Sequence, residues 1–479
     1  MLAALAAVLA LGLALRLPNL GQPDDNFDEG AYLEALLLMR HGYRPFADIN
    51  TGEGPLNLYL AYPSYALGGY TLSAARTGTV FASLVGLIGV AWTAGALGGR
   101  VAGVGAALAF ALSPTYLRVS RWVGPEATAV ALAALAVGAA AWAYRTDRDR
   151  WRLLAGALLS LACLIQASVP PTAVAVGLLT FSPRSPRAVL LAPAMAAAVA
   201  GIVVAAIGPL EVLNRIVTWR LAGQQLDPSW PGISHNVELL YDKMFRQEQP
   251  AFYALAAVGG LALLLRALQP GLALAGWLGA QLLLLLLYTE LSAHLGVTLI
   301  GPLAVLAGVG LGAAWSLFSA RRRRTIMTIA VSALAVLIAG WYATAIPALL
   351  DRDQRLIAGL LSTDRDGGRD ERAAVRVIGR LTAAEDFLLT DAPYLAFLSD
   401  RKVPPELVDP SLSRIRAGAL TAEQVTASLQ AYNPKLVVLW TGKLARFEPL
   451  MEILSAEWEP VEQYGTVDKG TPRAIYRRR

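Results

Sequence analysis

The sequence predicts a polytopic α-helical membrane protein of about eleven spans with a C-terminal extracytoplasmic α/β domain. Three observations carry this expectation. Of 479 residues, 56% are hydrophobic and only 16% charged, whereas soluble domains carry about 25% charged residues. Windows such as 251–268, 271–289 and 296–318 hold almost no charge and are long enough to cross a hydrocarbon core of about 30 Å. After about residue 349 charge rises, and short β-type runs alternate with helical patterns, the signature of an α/β domain.

Taken in order, the expected spans are 1–17, 72–96, 101–117, 122–144, 153–167, 169–181, 187–208, 251–268, 271–289, 296–318 and 325–348. The first is read as a retained span, because it lacks the basic leader and small-residue cleavage site of a signal peptide. The basic loops Arg145–Arg152, Ser182–Arg187 and Arg321–Arg324 fall on one side of this arrangement, as do Gly98–Arg100 and Arg266–Gly271. The positive-inside rule makes that side cytoplasmic, so the chain is placed in the cytoplasmic (inner) membrane. The outer side then receives the loops 18–71 and 209–250 and the tail 349–479, and 1–348 is the membrane domain. Arg16, Arg118 and Arg121 lie at the outer boundary, against the bias.

Within the first outer loop, residues 28–41 and 55–67 read as short helices at the membrane interface, where tyrosine is favoured. In the tail, 386–390 and 435–440 read as strands of a mostly parallel sheet, and 369–382 and 421–432 as helices. The tail has no glycine-rich phosphate loop and no nucleophile elbow, so it is assigned no chemistry. The net charge of +6 is carried largely by the topological loops and gives no reason to expect nucleic acid. One cysteine, Cys163, forbids an intramolecular disulfide, and with three histidines it argues against a Cys/His zinc site.

The chemistry-bearing stretch is 23–30, where Asp24, Asp25, Asp28 and Glu29 fall together after the first span. Two readings of Asp28 and Glu29 stand. Asn26 is a good N-cap with Glu29 three residues on, a capping-box spacing, and acidic residues suit a helix's first turn. Alternatively, a carboxylate held at the membrane surface and facing a cavity is a general base or a cation site.

Further features follow in order: Tyr32, then 42–48 (Gly-Tyr-Arg-Pro-Phe-Ala-Asp), then Gly54-Pro55-Leu56 leading to Tyr59, and Arg76 at the start of the second span. Leu112-Ser113-Pro114 ends the third span, Arg121 and Pro125-Glu126 follow, and His294 precedes Gly301-Pro302-Leu303-Ala304. In this order and spacing, residues 1–320 resemble the bacterial branch of the GT-C glycosyltransferases, the branch of protein O-mannosyltransferase and aminoarabinose-transferase relatives (glycosyltransferase family 39-like).

The resemblance implies a polyprenyl-phosphate-linked sugar donor and inverting transfer to an acceptor protein, lipid or glycan on the outer side. It makes Asp28 the base that deprotonates the acceptor, with Glu29 supporting it, and gives Tyr32 and Asp48 places in the site. The leaving phosphate needs no acid but its charge must be offset; Arg118, Arg121, Lys243, Arg246 and His294 are the outer-side candidates. Arg118 and Arg121 equally fit arginines reaching for lipid phosphates, and His294 a solvated loop residue. Glu126 fits a cavity-facing carboxylate or a first-turn residue after Pro125. Glu53 stands where many such relatives carry a basic residue, which suits a cation or an amino group better than a phosphate. Asp28, Glu29 and Glu53 offer oxygen ligands for a divalent metal, Mg or Mn, without specifying one. The alternative reading, a transporter or lipid flippase, calls for paired halves and broken helices at the midplane, and the sequence shows no such symmetry.

Overall fold

The computed structural model describes residues 2–23, 26–50, 52, 54–183, 185–209, 226–289, 291–319, 369–467 and 470–479. Glu53, Glu290, Arg321–Arg324 and the expected span 325–348 lie outside the described residues. The described residues divide into two compact units. One holds 2–20, 79–203 and 226–319; the other holds 21–78, 204–209 and 369–479.

The first unit is helical. Each of the ten expected windows that fall within the described residues forms helix, from Leu2–Arg16 to Ile300–Ser319. Five described helices are long and apolar enough to cross a membrane, or six if the pair Trp230–Phe245 and Pro250–Arg266, bent by 108°, counts as one broken span. The window 169–181 becomes a helix of only 9 residues, Thr172–Thr180. At 1.5 Å per residue it reaches about 14 Å, short of a bilayer core. The window 101–117 is interrupted: Ser113 ends Arg100–Leu112 and caps a separate short helix, Pro114–Val119, by accepting from the Tyr116 amide.

Small residues set the helix packing. Gly259 of Pro250–Arg266 lies directly against the backbone of Leu306 and Gly310 in Ile300–Ser319, and Gly308 against Ala102 and Ala106 of Arg100–Leu112; a side chain at either glycine would collide with backbone. Where lipid supplies no hydrophobic drive between helices, such close approach is what dispersion packing needs. The window Ala293–Ser316 is accordingly 89% buried, whereas Arg187–Ile207 is 6% buried and apolar all round, as a helix facing lipid must be. Polar side chains inside this unit cover helix ends. Asn236 donates to the carbonyls of Leu285, Leu286 and Tyr288. Arg121 donates to those of Leu15, Arg16 and Pro18 at 3.3, 3.0 and 2.6 Å, closing the C-terminus of Leu2–Arg16.

The second unit joins residues 21–78 to the tail. Its sheet has the order β1-β2-β4-β3 (Leu388–Thr390, Leu436–Leu439, Pro472–Arg478 and Trp458–Thr466). Only β1 and β2 run parallel; β4 is antiparallel to both β2 and β3. The expected mostly parallel sheet is thereby corrected. The strands read from sequence are the buried β1 and β2, whose apolar runs are continuous. The β3–β4 hairpin at the chain end alternates with charge and was not distinguished from loop. The helices Arg369–Leu381 and Ala422–Tyr432 match the reading, the second starting with a complete Thr421/Gln424 capping box.

The helix Phe27–Arg40 departs from the expected interfacial helix. It is buried continuously from Glu29 to Leu38. Leu33 and Leu36 are fully enclosed, and Gly30 meets the backbone of Tyr394 in the tail helix Pro393–Leu398, leaving no room for a side chain. Further links are Asn50 N–H to the Pro405 carbonyl at 3.1 Å and the Arg40–Asp400 pair at 3.2 Å. The helix is therefore a core element of an α/β unit whose partner lies far along the chain. The neighbouring helix Asn57–Leu67 keeps Tyr59, Leu60 and Leu67 exposed, the kind of surface an interfacial helix presents.

Glu34 sits fully buried in this packing, its Oε1 accepting the Val403 N–H at 3.0 Å. Burial holds its carboxyl well above the usual carboxylate range; the Val403 bond opposes this and the nearby Asp400 charge adds to it. The folded state then keeps a proton that the unfolded state releases, so stability falls as pH rises from about 4.3 toward the folded-state value. Glu34→Gln retains the acceptor and removes this loss. Its unfolding temperature in detergent is expected to match wild type near pH 4 and to exceed it increasingly at higher pH; parallel curves would show that Glu34 is not held protonated.

Candidate active site

The site around Asp28 is built by the second unit. Asn26, in extended conformation, caps Phe27–Arg40 by accepting the N–H groups of Asp28 and Glu29 at 3.1 and 3.2 Å. This cap makes a sharp entry into the helix and sets the two carboxylates in its first turn, where the helix dipole favours negative charge. Only half of the expected capping box forms, because the Glu29 carboxylate turns instead to Arg76. Arg76 Nε donates to Oε1 at 2.7 Å and Nη2 to Oε2 at 2.6 Å, while Nη1 donates to the Gln22 carbonyl at 2.7 Å. Both side chains are almost wholly buried. A two-pronged arginine–carboxylate fork is the geometry that offsets the desolvation of such charges best.

Asp28 is different: it is half-buried, as is Phe27 before it. The tail approaches the same turn with two groups that sequence reading passed over. Lys443 places Nζ 3.1 Å from the centroid of the Phe27 ring. Asp409 is close enough for the Asp28 charge to be felt there. Burial raises the Asp409 carboxyl above its ordinary value, Arg414 and a hydrogen bond from Ser411 oppose this, and Asp28 raises it again. Neither residue lies in a recognisable motif, so only folding discloses them.

The other candidates are placed as follows. Tyr32 is buried in the helix core. Asp48 accepts the Arg44 N–H at 2.8 Å and lies 3.7 Å from the Arg44 Nε, within a local turn. In the first unit, Glu126 is buried in the first turn of Pro125–Thr146, with His294 Nε2 at 3.4 Å from its Oε1 and the Trp122 ring edge-on to the imidazole at 5.3 Å. The contact is an ion pair whenever the imidazole is protonated. Two residues from separate stretches of the family-like pattern are thus brought together. Arg121 gives its guanidinium to the carbonyls that end Leu2–Arg16, a structural use. Arg118 is exposed and has no partner among the described residues, Lys243 is exposed, and Arg246 pairs with Asp242 at 3.1 Å on the surface. Glu248, unremarked in the sequence, is buried and receives the Ser113 hydroxyl at 2.7 Å and the Thr115 N–H at 3.1 Å.

For a divalent metal, Asp28, Glu29 and Glu53 were the suggested ligands. Both Glu29 oxygens are taken by Arg76, so that set does not fit as a cage. Among the described residues no group of three or more His, Cys, Asp or Glu side chains converges.

Comparison with known proteins agrees with this architecture. Residues 52–210 match the family model of dolichyl-phosphate-mannose-protein mannosyltransferases. A search of curated protein sequences finds no match. Among solved structures, the chain is similar to ArnT from Cupriavidus metallidurans, both in the apo state and bound to undecaprenyl phosphate. In each case the TM-score is 0.66 at 14% identity, covering 99% of this chain and 97% of that one. It is also similar to the archaeal oligosaccharyltransferase AglB from Archaeoglobus fulgidus, solved in complex with an inhibitory peptide and a dolichol-phosphate. That likeness has a TM-score of 0.57 at 13% identity, over 99% of this chain and 74% of that one.

The Glu29–Arg76 fork gives a direct test. Arg76→Met strands a buried carboxylate and is expected to destabilise the protein by about 3 kcal/mol. Adding Glu29→Gln should recover much of that loss, as read by thermal unfolding in detergent. A single variant as stable as wild type would remove the fork from the structure's supports. This multi-pass chain is thus similar in sequence to the dolichyl-phosphate-mannose-protein mannosyltransferases over residues 52–210 and similar in fold to ArnT and AglB.

Proposed function

We propose that the protein transfers a sugar from a polyprenyl-phosphate donor to an acceptor at the outer side of the cytoplasmic membrane, with inversion and with Asp28 as general base. The observation that carries the reading is the division of labour in one helical turn. Glu29 is locked by both oxygens to Arg76, whereas Asp28 beside it remains half-exposed at the capped helix start. A base must be rigidly placed and still within reach of the acceptor's proton, and Asp28 alone of the pair meets both needs. Support comes also from the GT-C fold and from ArnT and AglB, which were solved with polyprenyl phosphates bound.

In the proposed reaction the Asp28 carboxylate takes the acceptor's proton as the acceptor oxygen bonds to the anomeric carbon. Attack comes opposite the phosphate, so the configuration inverts. The carbon–oxygen bond to phosphate breaks with its electron pair going to the phosphate, which leaves as polyprenyl phosphate and needs no proton. Glu29 and Arg76 hold the turn and take no part in the proton transfer. Glu126 and His294 are proposed as a substrate-binding pair. No step is routed through a metal; both Glu29 oxygens are committed to Arg76.

Asp28→Asn keeps the shape of the turn but cannot accept the proton. Transfer from a polyprenyl-phosphate sugar in reconstituted membranes is expected to fall by about 10²-fold or more, with insertion and undecaprenyl phosphate binding retained. Undiminished transfer would remove Asp28 from the mechanism.

A further inference from the structure

The tail's loop 440–444 is held in an unusually complete way. Asp391, fully buried after β1, accepts four backbone N–H groups from it: Trp440 and Thr441 on Oδ1 at 2.7 and 3.0 Å, Lys443 and Leu444 on Oδ2 at 2.8 and 3.3 Å. The Thr441 hydroxyl adds a bond to the Asp391 carbonyl at 3.0 Å, and Gly442 turns the chain at φ +72°, a conformation that costs other residues a steric penalty. A buried carboxylate is expensive unless its oxygens are satisfied, and here satisfying them fixes the loop's shape. What the loop delivers is Lys443, half-buried, with its ammonium over Phe27, the residue before Asp28. Lysine is normally a mobile point charge on a four-carbon stem. Anchoring its backbone and laying its ammonium on an aromatic face removes much of that freedom.

We propose that Lys443 binds the donor's phosphate beside Asp28, and that Asp391 is the residue that positions it. The proposal rests on the glycosyltransferase reading and gives the tail a part in that site. In the reaction the donor's phosphodiester, with one negative charge, becomes a phosphomonoester with up to two as the sugar–oxygen bond breaks toward it. The proton released by the acceptor goes to Asp28, so the added charge on the phosphate has to be met by a separate cation. Lys443 Nζ lies against the same turn and, with three donors, can hydrogen-bond the phosphate as the charge develops. Arg76 is already spent on Glu29.

The test uses the full-length protein in lipid nanodiscs and compares undecaprenyl phosphate with undecaprenol, which lacks the phosphate. Wild type should prefer the phosphate. Lys443→Met should lose about tenfold or more of the affinity for undecaprenyl phosphate, with undecaprenol binding and unfolding temperature unchanged, while Lys443→Arg keeps most of the preference. Asp391→Asn should weaken phosphate binding in the same direction, and Lys443→Met carries the test alone should that variant not fold. Lys443→Met binding undecaprenyl phosphate as tightly as wild type overturns the proposal, and Asp28-dependent transfer in the same preparation would leave the glycosyltransferase reading standing. A wild-type protein with no preference for the phosphate overturns both. A loss of stability equal to the loss of binding would make Lys443 only a clamp on Phe27, which also overturns it.

Discussion

Glu29 and Arg76 stand 47 residues apart and meet as a two-pronged ion pair with side chains 1% and 6% exposed. Removing two charges from water costs several kcal/mol per ion, and only close geometry with further hydrogen bonds offsets it. Here the third guanidinium nitrogen is satisfied by the Gln22 carbonyl, so one arginine ties the segment before the helix, the helix's first turn and the start of Leu72–Gly98 into one arrangement. With its neighbour committed in this way, Asp28 is held at a defined place and stays half-exposed. The candidate base and the structural carboxylate are adjacent in sequence and separated only by what each one meets.

Residues 21–78 and the C-terminal tail are one folded object. The helix carrying Asp28 has the tail as its core partner: Gly30 admits the Tyr394 backbone, and Glu34 receives the Val403 N–H from 369 residues away. That arrangement gives the tail a physical reason to exist apart from any chemistry of its own. A helix buried over ten consecutive residues has no stable surface in water or lipid until something covers it, and the α/β unit does so. The same packing brings Asp409 and Lys443 to the first turn, so the electrostatic setting of Asp28 is partly written by the last hundred or so residues. In the helical unit, by contrast, polar side chains such as the half-buried Arg121 and the buried Asn236 close helix ends, which in an apolar medium is where unpaired carbonyls are most costly.

What was legible in the sequence was what short range encodes. Runs of apolar residues of helical length predicted the helices, and Asn26 announced the start of its helix because a cap is made by residues two or three apart. The order of acidic, Gly-Pro and arginine features pointed to the GT-C fold. The window 169–181 was misjudged as a span because apolarity alone does not say how many residues a helix will hold before Pro170, Pro171 and the break at Phe181 limit it. The sheet was expected to be mostly parallel because its two buried strands are continuous apolar runs, while the exposed β3–β4 hairpin reads as loop. The arginines were nominated for the substrate by position, and position could not say that Arg121 would find three carbonyls first.

By itself the sequence determined the membrane class, the helical segments, the local caps and the acidic turn on which the reading rests, since all are set by composition and by spacings of a few residues. Only the tertiary structure decided which carboxylate is structural, which strand lies beside which, and that Lys443 lies over the Phe27 ring at the first turn. Those outcomes depend on desolvation and on hydrogen-bond geometry between segments tens to hundreds of residues apart. A buried charge takes whichever partner the fold brings within about 3 Å, and no local pattern specifies that choice.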